Sequence, residues 1–199
     1  MTSLNFHIYL ISKGQAGLYR SLLSIWNLED EPSKVTILCP EGSVDVVNKS
    51  VFTVSEDTSK SGPLISIRET KNHLWPKTVM EESRDNLFPS TGFLYERDMF
   101  LPNYSQIFTL GKGPTQHTLL PYYQRRKFGN SKIVMPGGRQ SIPVSTLILS
   151  NNSREDFFKD ITLSSEMDFN SSSQSGLLPL KFRKPVVIVQ SNLKSAFEI

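Results

Sequence analysis

The sequence predicts a mainly β fold, a β-sandwich or a twisted, partly closed sheet with a few short helices, on three observations. Leu4, Phe6, Ile8 and Leu10 alternate with Asn5, His7 and Tyr9, the period of two that sets one face of a strand against a core. Val35, Ile37 and Cys39 repeat that pattern over residues 34–39. Short runs rich in β-branched residues and bounded by turn formers then recur along the chain. The 199 residues suit one β-rich domain spanning 1–199, or two small lobes dividing near residues 98–104, where the composition changes.

The elements follow in order. After the first strand, Leu18, Leu22 and Ile25 fit a helical stripe within residues 16–28, against the weakening effect of Gly14 and Gly17. Glu29-Asp30-Glu31-Pro32-Ser33 is a turn ahead of the second strand. Residues 50–55 and 64–68 are short β-type runs separated by the polar stretch 55–62. Residues 72–104 show no clear period, except for a short helix over 78–87 with Thr78 as N-cap and Glu81 completing a capping box. Further strands are expected at 106–110, 132–135, 144–150 and 185–190. One or two helical turns are expected at 154–161 with Ser153 as N-cap, and a polar loop at 170–176.

Charge is the strongest pattern. Residues 29–98 hold thirteen Asp/Glu against eight Lys/Arg, whereas 99–154 hold seven Lys/Arg and no Asp/Glu, in a chain of net charge +3. The densest portion is Tyr122-Tyr123-Gln124-Arg125-Arg126-Lys127-Phe128, followed by Lys132 and flanked by Lys112 and Arg139. Cations beside aromatic rings suit phosphate: on RNA, where Tyr122, Tyr123 and Phe128 stack on bases, or on anionic lipid head groups. These residues, Gln124 apart, are the nine of the candidate anion-binding site. The alternative is that they are solvated surface cations and core aromatics, with acidic and basic segments neutralising each other across the fold.

Catalytic and metal patterns are not evident. His7, His73 and His117 lack ligand partners at metal spacing, and Cys39, the single cysteine, sits on the apolar face of a strand as a packed, inert thiol. Gly111-Lys112-Gly113-Pro114-Thr115 lacks the spacing of a phosphate loop. Glu81, Glu82, Asp85, Glu96 and Asp98 are the richest carboxylate cluster, of the kind a metal-dependent nuclease uses, but Lys77 and Arg84 interleave at ion-pairing distance in sequence. The expectation is therefore a protein that is not an enzyme and needs no cofactor or metal. No apolar run approaches the roughly 20 residues of a membrane helix, no signal peptide or lipidation motif is read, and a lone cysteine fits a reducing, intracellular location. Tyr19-Arg20-Ser21-Leu22 and Tyr104-Ser105-Gln106-Ile107 match short sorting signals, with Tyr104 expected exposed and Tyr19 expected packed.

Residues 177–199 run Leu177-Leu178-Pro179-Leu180-Lys181-Phe182-Arg183-Lys184-Pro185-Val186-Val187-Ile188-Val189-Gln190, then a polar turn and Ala196-Phe197-Glu198-Ile199. This segment resembles the C-terminal strands of matrix proteins of non-segmented negative-strand RNA viruses, with a Phe-Arg step, a β-branched strand, a polar turn and a Phe two residues before an apolar end. The resemblance implies β-rich lobes, self-association into homo-oligomers, and a basic face on the inner membrane leaflet or on nucleocapsid. The functional expectation is thus a viral matrix-type assembly protein, cytoplasmic, peripheral at a membrane or inside a virion. The alternatives are an RNA-binding accessory protein and a protein-interaction module.

Overall fold

The computed structural model describes residues 5–15, 17–71, 75–83, 88–109, 118–125, 131–134, 143–150, 178–179 and 184–190. Its first strand, β1 (Phe6–Ile11), is buried at all six positions, not at every second one. The reason is that both faces are covered. Phe6, Ile8 and Leu10 pack with Leu18, Leu22 and Ile25 of α1 (Leu18–Trp26) and with Val47 and Val54 of α2 (Val44–Thr58). Tyr9 and Ile11 point the other way, into a second core with Trp75 and Val79 of α3 (Trp75–Ser83). A strand buried on both faces belongs to a parallel sheet with helices on either side.

The sheet is of that kind. β1 pairs in parallel with β2 (Lys34–Cys39) on one side and with β4 (Ser90–Tyr95) on the other, and β2 pairs in parallel with β3 (Leu64–Glu69). The remaining strands extend the sheet beyond β4: β9 (Leu147–Ser150) is antiparallel to β4 and to β6 (Thr118–Leu119), and β10 (Leu178–Pro179) is parallel to β6. The order is β10-β6-β9-β4-β1-β2-β3. A smaller sheet of order β5-β11-β7-β8 joins β5 (Met99–Phe100), β11 (Val187–Val189), β7 (Tyr122–Gln124) and β8 (Lys132–Val134). The chain thus leaves the large sheet for the small one directly after β4.

This mixed α/β architecture corrects the expectation of a mainly β fold. The first four strands alternate with helices, and such alternation builds a doubly wound parallel sheet. Three local readings fail for stated reasons. Residues 50–55 lie inside α2, because Val44, Val47, Val51 and Val54 recur at helical spacing and tertiary burial outweighs the β preference of valine. Residues 106–109 form α4 (Gln106–Thr109), preceded by a 3₁₀ turn at Pro102–Ser105 that places Pro102 where a missing N–H costs nothing. Thr78 is inside α3 and shares a hydrogen bond with Thr70, Oγ1 to Oγ1 at 3.0 Å, so it does not cap the helix. Residues 154–161 and 170–176 lie outside the described residues.

Aromatic side chains join the two sheets. Phe6 stacks on Phe108 at 4.2 Å between ring centroids, and Phe100 stacks on Tyr104 at 3.7 Å. Tyr104 is fully buried, not exposed, which takes it away from any sorting receptor; Tyr19 is partly buried and donates its hydroxyl to Asp57 at 2.7 Å. Burial pushes the Tyr104 phenol far above its ordinary value, and burial, then the nearby Glu96 and Asp98 charges, push Tyr95 up to about 12. In the unfolded chain a tyrosine ionises near 10. The folded state therefore holds protons that the unfolded state releases, and its stability is intact below about pH 10 and falls as pH rises toward 12. Denaturant midpoints measured across that range are expected to drop, and Tyr95→Phe to flatten part of the drop. An unchanged slope in that variant would assign the loss to other groups.

Candidate functional site

From β1 the chain winds through α1 to β2 and through α2 to β3, then returns through α3 to β4 on the opposite side of β1. Strand order therefore reverses between β1 and β4. In open α/β sheets that reversal leaves a crevice outside the carboxyl ends of the two strands, where ligands bind. Here the crevice is framed by Ser12–Gln15 leaving β1 and by Glu96–Asp98 leaving β4, with the turn Pro40–Ser43 after β2 beside it.

Glu96 is the bridge across this crevice. Its carboxylate is buried, and Oε2 accepts from the Ser12 hydroxyl (2.8 Å), the Lys13 backbone N–H (2.6 Å) and the Gln15 backbone N–H (3.4 Å). Ser12 Oγ in turn accepts from Gly14 N–H at 2.9 Å. Glu96 Oε1 is buried against the start of α1, 3.3 Å from where a Cβ on Gly17 would stand, and has no hydrogen-bond partner among the described residues. Gly14 has φ +69°, and a Cβ there would meet Ser43 Oγ at 2.8 Å, so the loops after β1 and β2 touch only because residue 14 is glycine. Glu69, at the end of β3, accepts from Gly42 N–H at 2.7 Å and holds the β2–α2 turn in place.

Asp98 serves a different purpose. It is fully buried, with Oδ2 accepting from Ser145 Oγ at 2.6 Å and Oδ1 from Gln190 N–H at 2.8 Å. Its own backbone C=O accepts from Ser21 Oγ of α1 at 2.9 Å. Asp98 thereby pins the end of β4 to α1, to the segment before β9 and to the end of β11. Between the two carboxylates Arg97 is exposed with φ +81°; its guanidinium donates to Gln15 Oε1 at 2.8 Å. The Lys13 ammonium sits 5.6 Å from the centroid of the Tyr95 ring. Among the described residues no three His, Cys, Asp or Glu side chains form a group able to hold a metal ion.

In the sequence Glu96 and Asp98 are legible as carboxylates but not as a site, because residues 72–104 show no clear period that marks β4. The available signal was two carboxylates two residues apart, directly after the apolar run Phe93-Leu94-Tyr95. The other members of that cluster go elsewhere. Glu82 binds Arg68 Nε at 2.9 Å and accepts from Tyr9 OH, and Glu81 lies 3.9 Å from Lys77 on the surface of α3. Asp85 lies outside the described residues. His7 is not on a polar face: it is fully buried, its Nε2 2.9 Å from Thr36 Oγ1. Cys39 is buried, and burial first, then Glu69, raises its thiol.

Of the nine candidate anion-binding residues, Lys112, Arg126, Lys127, Phe128 and Arg139 lie outside the described residues. Tyr122 is in the core at 5% exposure, and Tyr123 beside it in β7 is half-buried. Arg125 and Lys132 are exposed at neighbouring ends of β7 and β8, where Gln124 pairs with Lys132. None of these four stands in the β1–β4 crevice loops.

No protein-family model and no curated protein matches the sequence. Solved structures do match the fold. S. aureus TarS 1–349 superposes with a TM-score of 0.55 at 11% identity, over 94% of this chain and 60% of that one. The fold is similar to that of TarS. The same TarS segment in complex with UDP gives 0.55 at 11% identity, over 98% of this chain and 62% of that one. In complex with UDP-GlcNAc it gives 0.59 at 10% identity, over 94% and 59%. The chain thus spans less than two thirds of the TarS segment. This likeness, with the parallel sheet, overturns the reading of a β-rich, non-enzymatic matrix-type or RNA-binding assembly protein. The viral resemblance itself rests on residues 177–199, of which 178–179 and 184–190 are described. Among the described residues no helix is long and apolar enough to cross a membrane.

Proposed function

We propose that this chain is the nucleotide-sugar-binding domain of a glycosyltransferase, taking a uridine-diphosphate sugar in the crevice between β1 and β4. The observation that carries the reading is Glu96: one carboxylate, buried at the reversal of strand order, ties the loop after β1 with Oε2 and leaves Oε1 without a donor. A buried acceptor without a partner is costly, by roughly 1–3 kcal/mol, and a ligand that moves the Arg97 side chain aside and brings a hydroxyl to Oε1 relieves that cost. Ribose and hexose rings supply such hydroxyls. The UDP and UDP-GlcNAc held by TarS support the same ligand class for a fold of the same kind. They are a sugar donor and what remains of it once the sugar has moved to an acceptor.

The loops after β1 and β2 approach each other at Gly14, and a Cβ on Gly42 would meet nothing within 4 Å, so backbone there is open to a base or ribose. The test is thermal melting of the protein with UDP, UDP-GlcNAc, UMP and ATP. The uridine diphosphates are expected to raise the midpoint by several degrees at saturating concentration, following the binding contribution to stability. Equal melting with and without every nucleotide would sink the reading. Glu96→Gln, which keeps the shape but weakens acceptance from Ser12 and Lys13, is expected to lower uridine-diphosphate affinity by about tenfold.

A further inference from the structure

We infer that Arg97 and Lys13 together bind the diphosphate of the ligand directly, so that recognition does not require a divalent cation bridging carboxylates. This rests on the nucleotide-sugar reading for the identity of the ligand but on separate observations for the chemistry. Negative groups stand at the crevice, but they are committed to the protein. Both oxygens of Asp98 accept hydrogen bonds from protein donors, and Glu96 Oε2 accepts from three. A metal ligand needs outward lone pairs from several oxygens, and these two residues offer one unpartnered oxygen between them that is known to be buried. The charges that reach the mouth from these two loops are cationic.

Arg97 is the informative residue. Its φ of +81° is a conformation that glycine or asparagine adopts far more readily than a long side chain. It is forced there because its neighbours Glu96 and Asp98 are buried to either side, and because its own N–H donates to Ser21 Oγ at 2.9 Å. Its side chain lies over Gly17, at the start of α1, in space that a Cβ on residue 17 would need. Among the described residues the exposed guanidinium has no carboxylate within ion-pairing distance; its partner there is the neutral Gln15 amide oxygen. A strained arginine without an acidic partner is explained by an external anion, since strain of this sort concentrates where ligands are gripped. Guanidinium matches phosphate oxygens in a two-pronged hydrogen bond. Lys13 supplies the second cation. Its backbone N–H is fixed on Glu96 Oε2, one residue away from Arg97, and its ammonium is steadied over the Tyr95 ring.

The experiment is calorimetric titration of the full chain with UDP and, separately, with inorganic pyrophosphate, in the presence of a chelator. Arg97→Gly and Arg97→Asn are compared with the wild type, since either residue tolerates the backbone angle. The wild type is expected to bind both ligands without metal. Both variants are expected to bind at least about tenfold more weakly while melting at the same temperature or a few degrees higher, because the strain is relieved. Binding of UDP that appears only after a divalent cation is added, or variants that bind as the wild type does, would overturn the inference and leave the nucleotide-sugar reading intact. Arginine-dependent binding of pyrophosphate without binding of UDP would do the reverse. Loss of folding in both variants removes the strain argument and with it the inference, and a wild type that binds neither ligand removes both readings.

Discussion

Asp98→Ala is expected to destabilise the fold by about 3–5 kcal/mol, lowering the melting midpoint by roughly 10 °C. The side chain is fully buried and accepts two hydrogen bonds as a carboxylate, from Ser145 Oγ at 2.6 Å and from Gln190 N–H at 2.8 Å. Hydrogen bonds to a charged acceptor are each worth about 1.5–3 kcal/mol, and truncation leaves both donors buried without it. Ser145 Oγ also accepts from Tyr95 N–H at 2.9 Å, so the loss reaches the last residue of β4. Asp98→Asn separates charge from shape. Its amide oxygen still accepts from Gln190 N–H, but its NH₂ meets Ser145 as a donor and forces that hydroxyl to turn, for an intermediate loss of about 1–2 kcal/mol. Denaturation of both variants, with Ser145→Ala and the double variant, gives the coupling. If Asp98→Ala melts within a degree or two of the wild type, the carboxylate is not structural. It would then be available to a ligand or metal, and the inference of cation-based recognition would lose half its ground.

The same residue shows why the site was only half legible. In the sequence Glu96 and Asp98 stand out as reactive carboxylates, and they group with Glu81, Glu82 and Asp85 because separation along the chain is the only distance a sequence offers. In space Glu81 lies on the outer face of α3 beside Lys77 and Glu82 turns toward the sheet, to Tyr9 and Arg68, while Glu96 and Asp98 are buried at the end of β4. The error in fold class has a comparable origin. Leu4–Leu10 alternates only if His7 and Tyr9 count as polar; both are fully buried against the second core, Tyr9 stacking with Phe93 at 5.8 Å and His7 bonding Thr36. Polar-looking residues able to satisfy their polar atoms inside a core erase the difference between a half-buried and a fully buried strand. The valines of α2 add a second disguise, since a six-residue window over 50–55 sees β-branched composition but not the 44-47-51-54 spacing that lays them on one helical face. What composition could not supply at all was the reversal of strand order, which exists only once β3 and β4 take opposite sides of β1.

A second large effect is expected at Gly92, midway along β4 and paired with Ile8 of β1 and Ile148 of β9. Alanine ordinarily suits a strand better than glycine does. Here a Cβ would collide with the hydroxyl of Tyr104, whose ring is held by Phe100 at 3.7 Å and by Phe108 at 5.6 Å and has nowhere to retreat. Gly92→Ala is therefore expected to cost about 1–3 kcal/mol, as overpacking does. That hydroxyl is itself buried with no hydrogen-bond partner, so Tyr104→Phe removes an unsatisfied group and is expected to stabilise the protein by about 1 kcal/mol. In the Tyr104→Phe background the remaining contacts of the new methyl would be ring carbons at 3.3 and 3.6 Å, close but within the reach of small adjustments. Gly92→Ala should then become neutral or stabilising. The sign of the substitution thus depends on one oxygen atom, in the 3₁₀ turn after β5, and urea denaturation of the four proteins reads it directly. Should Gly92→Ala cost the same with and without that oxygen, the clash with the Tyr104 hydroxyl is not what residue 92 avoids by being glycine. Should the cost vanish as expected, the Tyr104 hydroxyl is what excludes a side chain at residue 92.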